Sequence, residues 1–312
     1  MTERLLIDTD PGIDDAAAIM CALASRRMKL VALTTVAGNL PAADGAANAL
    51  RILTACGRTD IPVHVGVDRP LLVERVHSRQ TALGAWTDVL APAPLCGVAP
   101  GHAVDAIVAA ARAAHADGSS LTVCAIGPLT NIALALRLYP DIARCFARIV
   151  MMGGAFFVPG MRTPWAEFNV YADPHAAQIV FTSGVPITIF PLDVTTQALA
   201  DASFVKRLSE SAGHAGQVMA RLMGAIDRDD PTRFGRPGAP IHDAMPIVFL
   251  DRPDIFALRP AGIRAVTEGS TIGHTYADFA EFFGMPPNAS VAVRVDGDAY
   301  LDLVAERILS FG

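Results

Sequence analysis

The sequence has little positive charge: 25 Lys and Arg residues stand against 31 Asp and Glu residues, which gives a formal net charge of −6. A basic surface for nucleic acid or a polybasic segment for anionic lipid is therefore not expected. The five cysteines are odd in number and widely spaced, and no CxxC pair occurs among them. This argues against a disulfide framework or a zinc site. We expect reduced thiols, a cytoplasmic location and a small-molecule partner.

Long apolar runs are also missing, although 52% of the residues are hydrophobic. The stretches at residues 16–24 and 106–114 fall short of the roughly 20 residues that a membrane helix needs, and Arg112 interrupts the second. Three apolar residues at 5–7 separate the polar N-terminus from Asp8, so no secretory leader is expected. The composition therefore predicts a large buried core and no membrane partner.

Short apolar strands alternate with helical segments along the chain. Residues 5–7 form a continuous apolar run, as in a strand buried on both faces of a parallel sheet. Pro11-Gly12 ends this extended segment, and a helix is predicted after it at residues 14–25. The pattern predicts further strands at 30–36, 61–66, 121–126, 148–152 and 186–190, and helices at 42–55, 103–115, 130–138 and 174–182. Strands separated by helices indicate βαβ units with right-handed crossovers.

Two regions rich in Pro, Gly and Arg, residues 68–100 and 225–241, interrupt this alternation. We expect them to be long loops over a binding site. Beyond them the sequence predicts a helix after Asp243, an extended segment at residues 259–266 and a last strand at 289–295 that ends in a turn at 296–298. No internal repeat or low-complexity tract divides the chain. The sequence thus predicts one α/β domain over residues 1–312.

Four aspartates, Asp8, Asp10, Asp14 and Asp15, lie within eight residues where the first strand ends. Ligands of open α/β sheets bind outside the carboxyl ends of the strands, so this acidic cluster lies where a site is expected. Carboxylates held close together raise one another's pKa unless a cation compensates, and all-oxygen ligation is typical of calcium or magnesium. The alternative is capping of the following helix, which accounts for Asp14 and Asp15 but not for Asp10.

Other polar motifs also follow predicted strands or loops. His242-Asp243 precedes an apolar helix, where the aspartate could belong to a site or be an ordinary N-cap. Glu167 and Asn169 share a face if their segment is extended, and could hold sugar hydroxyls or form a polar turn. Gly127-Pro-Leu-Thr-Asn131 and Met151-Met-Gly-Gly154 match neither a phosphate loop nor a dinucleotide fingerprint. A single site at the strand ends explains all of these motifs.

Six sequence blocks together resemble the inosine-uridine-preferring nucleoside hydrolases in order and spacing, from residue 5 to beyond residue 250. In chain order they are Asp8-Thr-Asp-Pro-Gly-Ile-Asp-Asp-Ala16, Ala37-Gly-Asn39, Ile126-Gly-Pro-Leu-Thr-Asn131, Met152-Gly-Gly154, Glu167-Phe-Asn169 and His242-Asp243. The resemblance implies a doubly wound α/β fold with a mostly parallel sheet and a tightly held Ca²⁺ in its pocket. It also implies a role in purine or pyrimidine salvage and a homo-oligomer, either a tetramer or a dimer.

The resemblance further implies roles for individual residues. The expected calcium ligands are the carboxylates of Asp10, Asp15 and Asp243 and the backbone carbonyl of Ile126. The ribose 2′- and 3′-hydroxyls and a water would complete the shell. Asp14 would hold the 2′-hydroxyl and Asn169 the 3′-hydroxyl, with Glu167 near the 5′ end. The full set of expected substrate-binding residues is Asp14, Asn39, Met152, Glu167, Asn169 and Asp243.

Known chemistry of glycosidic bonds agrees with these roles. Cleavage of the ribosyl C–N bond passes through an oxocarbenium-like state that nearby carboxylates stabilise. A metal-bound water is the expected nucleophile, and Asp10 is the expected base that takes its proton. His242, with an unperturbed pKa of about 6.5, is the expected acid that protonates the leaving base at neutral pH. This histidine favours pyrimidine nucleosides or inosine as substrates.

The chain departs from the family's pattern in its loops. Met161 follows Gly160 where relatives usually carry an asparagine, and a thioether is a weak acceptor for a 5′-hydroxyl. A 5′-deoxy or otherwise modified ribose is therefore a candidate substrate. The block at residues 76–84 keeps His77, one place out of register, and lacks two glycines, so we expect a different loop shape. The stretch at residues 226–240, which faces the base in the family, has no tyrosine and contains Arg228, Arg233, Phe234 and Arg236. Its three arginines either bind a polar or anionic group on the base or lie exposed.

Two other functions remain open at this point. Asp8 and Asp10 after a strand also occur in haloacid-dehalogenase-type phosphatases, but that reading requires Asp8 as nucleophile and a Thr or Val in place of Gly12. A non-catalytic, calcium-dependent binder of ribose or nucleosides is the second alternative. Asp10 and His242 argue against it, and the loop departures keep it open.

Overall fold

The computed structural model describes residues 2–78 and 83–311. The strands in these ranges are β1 Glu3–Thr9, β2 Met28–Thr35, β3 Val63–Val65, β4 Leu121–Ala125, β5 Phe146–Met152, β6 Ile187–Phe190, β7 Leu199–Ala200, β8 Ala239–Pro240, β9 Phe256–Ala265, β10 Thr275–Asp278 and β11 Ala289–Val295. The helices are α1 Ile13–Ala24, α2 Ala42–Ala55, α3 Ala103–Ala116, α4 Thr130–Leu138, α5 Phe168–Ala172, α6 Pro174–Phe181, α7 Leu192–Thr195, α8 Ala202–Ser209, α9 His214–Gly224, α10 Pro231–Phe234, α11 Ala244–Asp251 and α12 Gly297–Leu309.

The central sheet contains nine of the described strands, in the order β10-β9-β11-β6-β5-β4-β1-β2-β3. Neighbours from β3 to β11 pair in parallel, whereas β9 pairs antiparallel with β11 and β10 antiparallel with β9. Successive strands run outward from β1 on one side and from β4 on the other. The predicted doubly wound, mostly parallel α/β architecture is confirmed, and the switch point between β1 and β4 is where such sheets bind ligands.

Two hydrophobic clusters cover the two faces of the sheet. Leu5 and Ile7 pack into one cluster with residues of α1, α2, α9, α11 and α12. Leu6 points the other way, into a cluster with residues of α3, α4 and α6. All three side chains are fully buried. The apolar run at the start of the chain is therefore a strand buried on both faces, as predicted.

The predicted turn at residues 296–298 is wrong. Asp296 is instead the N-cap of α12, and its carboxylate accepts a hydrogen bond of 3.2 Å from the Ala299 N–H. Tyr300, Val304 and Ile308 then form a buried stripe at helical spacing. An Asp-Gly pair is common in turns. Asp296-Gly297 instead begins a helix, because aspartate also caps helices and the apolar residues that follow can pack against the core at helical spacing.

The two predicted long loops are largely irregular. Residues 68–78 and 83–100 contain no helix or strand longer than a turn, and residues 225–241 carry only α10 and β8. Within the described ranges, no helix is both long and apolar enough to span a bilayer.

Candidate active site

A cavity of about 280 Å³ opens beyond the ends of β1, β4 and β5. It brings together residues that are far apart in sequence and that all belong to the predicted set: Asp10, Asp14, Asn39, Ile126, Met152, Glu167, Asn169, His242 and Asp243. Asp15 is the one member of the set that does not line the cavity, because it is fully buried beneath it. The strand-end motifs thus converge on one place, as the sequence indicated.

Asp10 lies between two glycines that allow the backbone to approach its carboxylate. The Asn39 N–H donates a hydrogen bond of 2.6 Å to Asp10 Oδ2. A Cβ on Gly38 would lie 2.1 Å from that oxygen, and a Cβ on Gly127 would lie 2.8 Å from Asp10 Oδ1. Neither position accepts a side chain without displacing the carboxylate, which gives a physical reason for glycine in both motifs.

Asp14 and Asp15 have different partners although they are adjacent. Asp15 accepts hydrogen bonds from Thr9 Oγ1 at 2.5 Å and from the Gly12 N–H at 2.9 Å, so it partly fulfils the helix-capping alternative. Asp14 instead accepts a hydrogen bond of 3.0 Å from the His242 N–H and forms an ion pair with Arg228. Asp14 therefore links α1 to the loop near residue 240.

Asp8 has a structural environment. It accepts hydrogen bonds from Thr34 Oγ1 at 2.6 Å and Asn131 Nδ2 at 2.8 Å, and Asn131 also donates to the Thr35 carbonyl at 2.9 Å. Burial raises the pKa of Asp8 to about 7, even though both hydrogen bonds act to lower it. The side chain ties neighbouring strands together and is not among the cavity residues, so the phosphatase alternative with Asp8 as nucleophile finds no support.

The carboxylates around the cavity repel one another. Burial raises the pKa of Asp10 well above its ordinary value, and the charge of Asp15 raises it further. The pKa of Asp243 is raised by burial first and then by Asp15, Asp14 and Asp10. Asp243 precedes α11 but makes no capping hydrogen bond, so the N-cap alternative does not account for it.

Within residues 2–78 and 83–311, no group of three His, Cys, Asp or Glu side chains lies close enough together to hold a metal ion as it stands. The donor chemistry still fits a hard cation, because buried carboxylates lie close enough to raise one another's pKa. A cation is the species that would relieve this repulsion.

Glu167 and Asn169 do not lie on an extended segment. Glu167 is the N-cap of α5: its Oε1 accepts from the Asn169 N–H at 2.8 Å, and its Oε2 accepts from the N–H groups of Gly154 and Val170 at 3.0 and 3.1 Å. The helix forms because this carboxylate satisfies its first N–H groups. Asn169 Nδ2 donates to the Ile126 carbonyl at 3.0 Å, which links β4 to α5.

His242 is half-buried in the cavity wall, and its Nδ1 lies 2.7 Å from Thr195 Oγ1. Burial lowers the pKa of His242 to about 4, with Arg228 and Arg233 adding to the effect and Asp14 opposing it. The unperturbed pKa of about 6.5, on which the role as a charged acid was based, therefore does not apply to this ring, which is desolvated and faces two arginines. At neutral pH the imidazole is uncharged. No sequence signal identified Thr195 as its partner.

The arginines of residues 225–241 divide into two groups. Arg228 and Arg233 line the cavity together with Phe234, and an Arg233 guanidinium nitrogen donates to the Gly160 carbonyl at 3.1 Å. Arg236 donates instead to the Gln197 carbonyl at 3.1 Å and is not a cavity residue. Arg236 lies exposed, as the second alternative expects, whereas a contact of Arg228 or Arg233 with the base stays a prediction.

The remaining loop departures also lie near the cavity. Met161 lines it and is 46% exposed. Ser78 lines it as well, but residues 79–82 of the 76–84 block lie outside the described residues. The expected change of shape in that block therefore stays a prediction.

Comparisons with known proteins agree with this geometry. The family model described as inosine-uridine preferring nucleoside hydrolase matches residues 5–302. An uncharacterised Schizosaccharomyces pombe protein is 38% identical over 98% of both chains. The pyrimidine-specific ribonucleoside hydrolase RihA of Salmonella typhi is 37% identical over 99% of both.

Solved structures show the same similarity. A purine-preferring ribonucleoside hydrolase from Gardnerella vaginalis is 29% identical and superposes with a TM-score of 0.87 over 99% of both chains. An inosine-guanosine nucleoside hydrolase is 26% identical and superposes with a TM-score of 0.86 over the full length of both. These similar enzymes are named for different bases.

Proposed function

This chain belongs to the inosine-uridine preferring nucleoside hydrolase family, whose members hydrolyse the N-glycosidic bond of ribonucleosides, and we propose that its cavity at Asp10 carries out that reaction on pyrimidine nucleosides or inosine. The products are the free base and ribose. The observation that carries the proposal is Asp10 itself, a buried carboxylate held between Gly38 and Gly127 at the switch point of the sheet.

Asp10 is the proposed general base. Its carboxylate lines the cavity, where it can accept a proton from a water bound beside it. The Asn39 N–H fixes Oδ2, which leaves Oδ1 on the Gly127 side to accept the proton of the attacking water. The remaining carboxylates stabilise positive charge that develops on the ribosyl carbon.

The family uses a metal cofactor, and calcium is the ion that we propose here. Its ligands would be Asp10, Asp15, Asp243 and the Ile126 carbonyl, an all-oxygen set suited to a hard cation. When bound, the ion supplies positive charge that lowers the pKa of water and orients the ribose hydroxyls. The hydrogen bonds that Asp15 accepts from Thr9 and Gly12 support this assignment, because they hold its carboxylate in one orientation.

The ribose is proposed to bind through Asp14 at its 2′-hydroxyl and Asn169 at its 3′-hydroxyl. Because the Asn169 amide nitrogen donates to backbone carbonyls, its Oδ1 can accept from the sugar. Asn39 and Met152 line the same part of the cavity. Glu167 lies nearby, but its two oxygens already accept three backbone N–H groups, which weakens it as a partner for the 5′-hydroxyl.

His242 is proposed to assist the leaving base as a neutral hydrogen-bond donor. If the Thr195 hydroxyl donates to Nδ1, the ring proton is on Nε2 and can face the base. This keeps the histidine at the leaving group while replacing the imidazolium that the sequence suggested.

The wider setting also remains part of the proposal. We propose that residues 1–312 form one catalytic domain, that it acts in nucleoside salvage in the cytoplasm, and that it assembles as a homo-oligomer. Ribonucleosides are the proposed partners, with neither nucleic acid nor a membrane involved.

Ribose release tests the function. The calcium-loaded protein is incubated with a panel of nucleosides, alongside Asp10→Asn and the control Asp60→Asn, which removes an exposed carboxylate far from the cavity lining. We expect Asp10→Asn to lose about 1,000-fold in kcat, as for a general base, and the control to keep wild-type activity. Phosphate release from phosphoesters without any ribose would refute the proposal. Nucleoside binding without turnover would favour a non-catalytic binder.

A further inference from the structure

Arg228 occupies a fixed position at the edge of the cavity. Its side chain is 18% exposed, and one terminal nitrogen pairs with Asp14 Oδ1. The other terminal nitrogen donates to the Pro240 carbonyl at 2.5 Å. Two partners on different elements hold the plane of the guanidinium, which has five N–H groups. Within the described chain these contacts use two of them, so others can donate to a ligand.

The ion pair with Asp14 determines where the Arg228 guanidinium would lie relative to a bound nucleoside. The inference rests on the proposed function, in which Asp14 takes the ribose 2′-hydroxyl. In a pyrimidine nucleoside with the base turned away from the sugar ring, the C2 carbonyl oxygen lies on the same side as C2′. A guanidinium bonded to the carboxylate that holds the 2′-hydroxyl is therefore next to that carbonyl oxygen.

We propose that Arg228 binds the C2 carbonyl oxygen of a pyrimidine nucleoside and stabilises the negative charge that collects there during cleavage. The bond from C1′ to N1 breaks, and its electron pair stays with the base, spread over N1 and the carbonyl oxygens. The water oxygen bonds to C1′ and gives its proton to Asp10. The base leaves as an anion and takes a proton from solvent, and Asp10 releases the proton of the water to solvent, which completes the hydrolysis.

A guanidinium suits this role better than a proton donor would. It remains protonated throughout, so it stabilises the anion by charge-assisted hydrogen bonds without transferring a proton. Such donors act most strongly where they are fixed before the reaction and shielded from water. Arg228 meets both conditions through its partners and its low exposure.

A purely structural role for Arg228 is the competing explanation. In that case the arginine only orients Asp14, and its loss weakens every substrate equally. Stabilisation of the leaving base instead makes the loss depend on how basic the leaving group is. The dependence of kcat on the leaving group therefore separates the two explanations.

The experiment uses the calcium-loaded enzyme with uridine, 5-fluorouridine and 4-nitrophenyl riboside, followed by ribose release. The last substrate has an easily displaced leaving group without a carbonyl beside the bond. Arg228→Gln should lose about 100-fold in kcat on uridine, less on 5-fluorouridine and least on 4-nitrophenyl riboside. Arg228→Lys, which keeps the charge, should fall between Arg228→Gln and wild type. Arg236→Gln removes an arginine from the same loop outside the cavity and should behave as wild type.

The ratio of rates on two substrates does not depend on how much of a variant is folded, so a destabilised variant still gives an answer. Equal losses on all three substrates would overturn the inference and leave Arg228 as a positioning residue for Asp14. Wild-type enzyme that releases no ribose would instead refute the proposed function, whatever the variants do.

Discussion

The proposed sugar side and the proposed base side of the cavity are built from different parts of the fold. On the sugar side, Asp10 follows β1 and Asn169 lies in the first turn of α5. Both side chains are buried and form hydrogen bonds with backbone groups. On the base side, Arg228 and Arg233 come from the irregular region 225–241 and hold the carbonyl oxygens of Pro240 and Gly160. The first side depends on the core for its geometry, whereas the second depends on contacts between loops.

The two sides also differ in how much of their structure is buried in the core. Ten of the twelve residues of α1, which carries Asp14 and Asp15, are buried, whereas none of the four residues of α10 is. Changes in the region around α10 therefore cost little core packing, and under the proposed function we expect them to alter base preference while the proposed catalytic groups stay in place. The similar enzymes named for pyrimidines and for purines fit this division of roles.

Apart from the loss of Asp10 itself, the largest expected effect comes from adding one methyl group on the proposed sugar side. In Gly38→Ala the new Cβ would lie 2.1 Å from Asp10 Oδ2 and 2.9 Å from Pro128 Cδ, so the carboxylate must move. A displacement of about 1 Å at a catalytic group can cost about 100-fold in rate. We expect kcat to fall by about this factor for every nucleoside, as measured by ribose release.

Gly97→Ala is the matched control, because a Cβ at Gly97 meets nothing within 4 Å. Its activity should equal that of wild type. The sugar side should affect all nucleosides alike. If Gly38→Ala lowered kcat much more for uridine than for inosine, or the reverse, the division into a sugar side and a base side would be wrong.

A smaller effect is expected where the two sides meet, at His242. Its pKa is about 4 in the folded protein and about 6.5 in the unfolded chain, so the unfolded chain binds more protons between these values. Stability must then fall as pH falls through this window, by about 2 kcal/mol between pH 7.5 and 5. A bound cation would lower the folded-state pKa further, so the sign is the same with calcium present.

The measurement is chemical unfolding of wild type and His242→Asn at both pH values. The difference between the two proteins isolates the histidine, since the neighbouring aspartates are common to both. His242→Asn should lack this part of the pH dependence. Equal slopes for both proteins would show that the ring titrates normally and is open to water, like the loop rather than the core.

The sequence predicted which strand-end residues meet at the cavity far better than it predicted the contacts of the loop residues 225–241, for physical reasons. Asp10, Gly38 and Gly127 follow strands whose apolar runs are easy to recognise, and parallel strands bring their ends to one edge of the sheet. Asp296 shows the limit of local signals, because Asp-Gly favours a turn and also caps a helix when a buried stripe follows.

On the base side, contacts between distant residues decide the outcome. The pairing of Arg228 with Asp14 spans more than 200 positions, and no periodic pattern marks it. The lowered pKa of His242 follows from burial and from two loop arginines, which depend on how the loop folds back. The sequence could name these residues as candidates but could not establish their partners.

The smallest expected effect tests whether the loop near Met161 selects substrates at the 5′ end of the ribose. Met161→Asn replaces a weak acceptor with an amide in the cavity wall, next to Glu167, whose oxygens are already bonded to backbone N–H groups. One new neutral hydrogen bond is worth about 1 kcal/mol, so kcat/KM for uridine should rise about fivefold. For 5′-deoxyuridine, which lacks the hydroxyl, kcat/KM should not rise. Met161→Leu adds no polar group and should leave the ratio of kcat/KM for uridine to that for 5′-deoxyuridine unchanged. If this ratio changes equally in both variants, the effect comes from side-chain shape, and the loop does not recognise the 5′-hydroxyl.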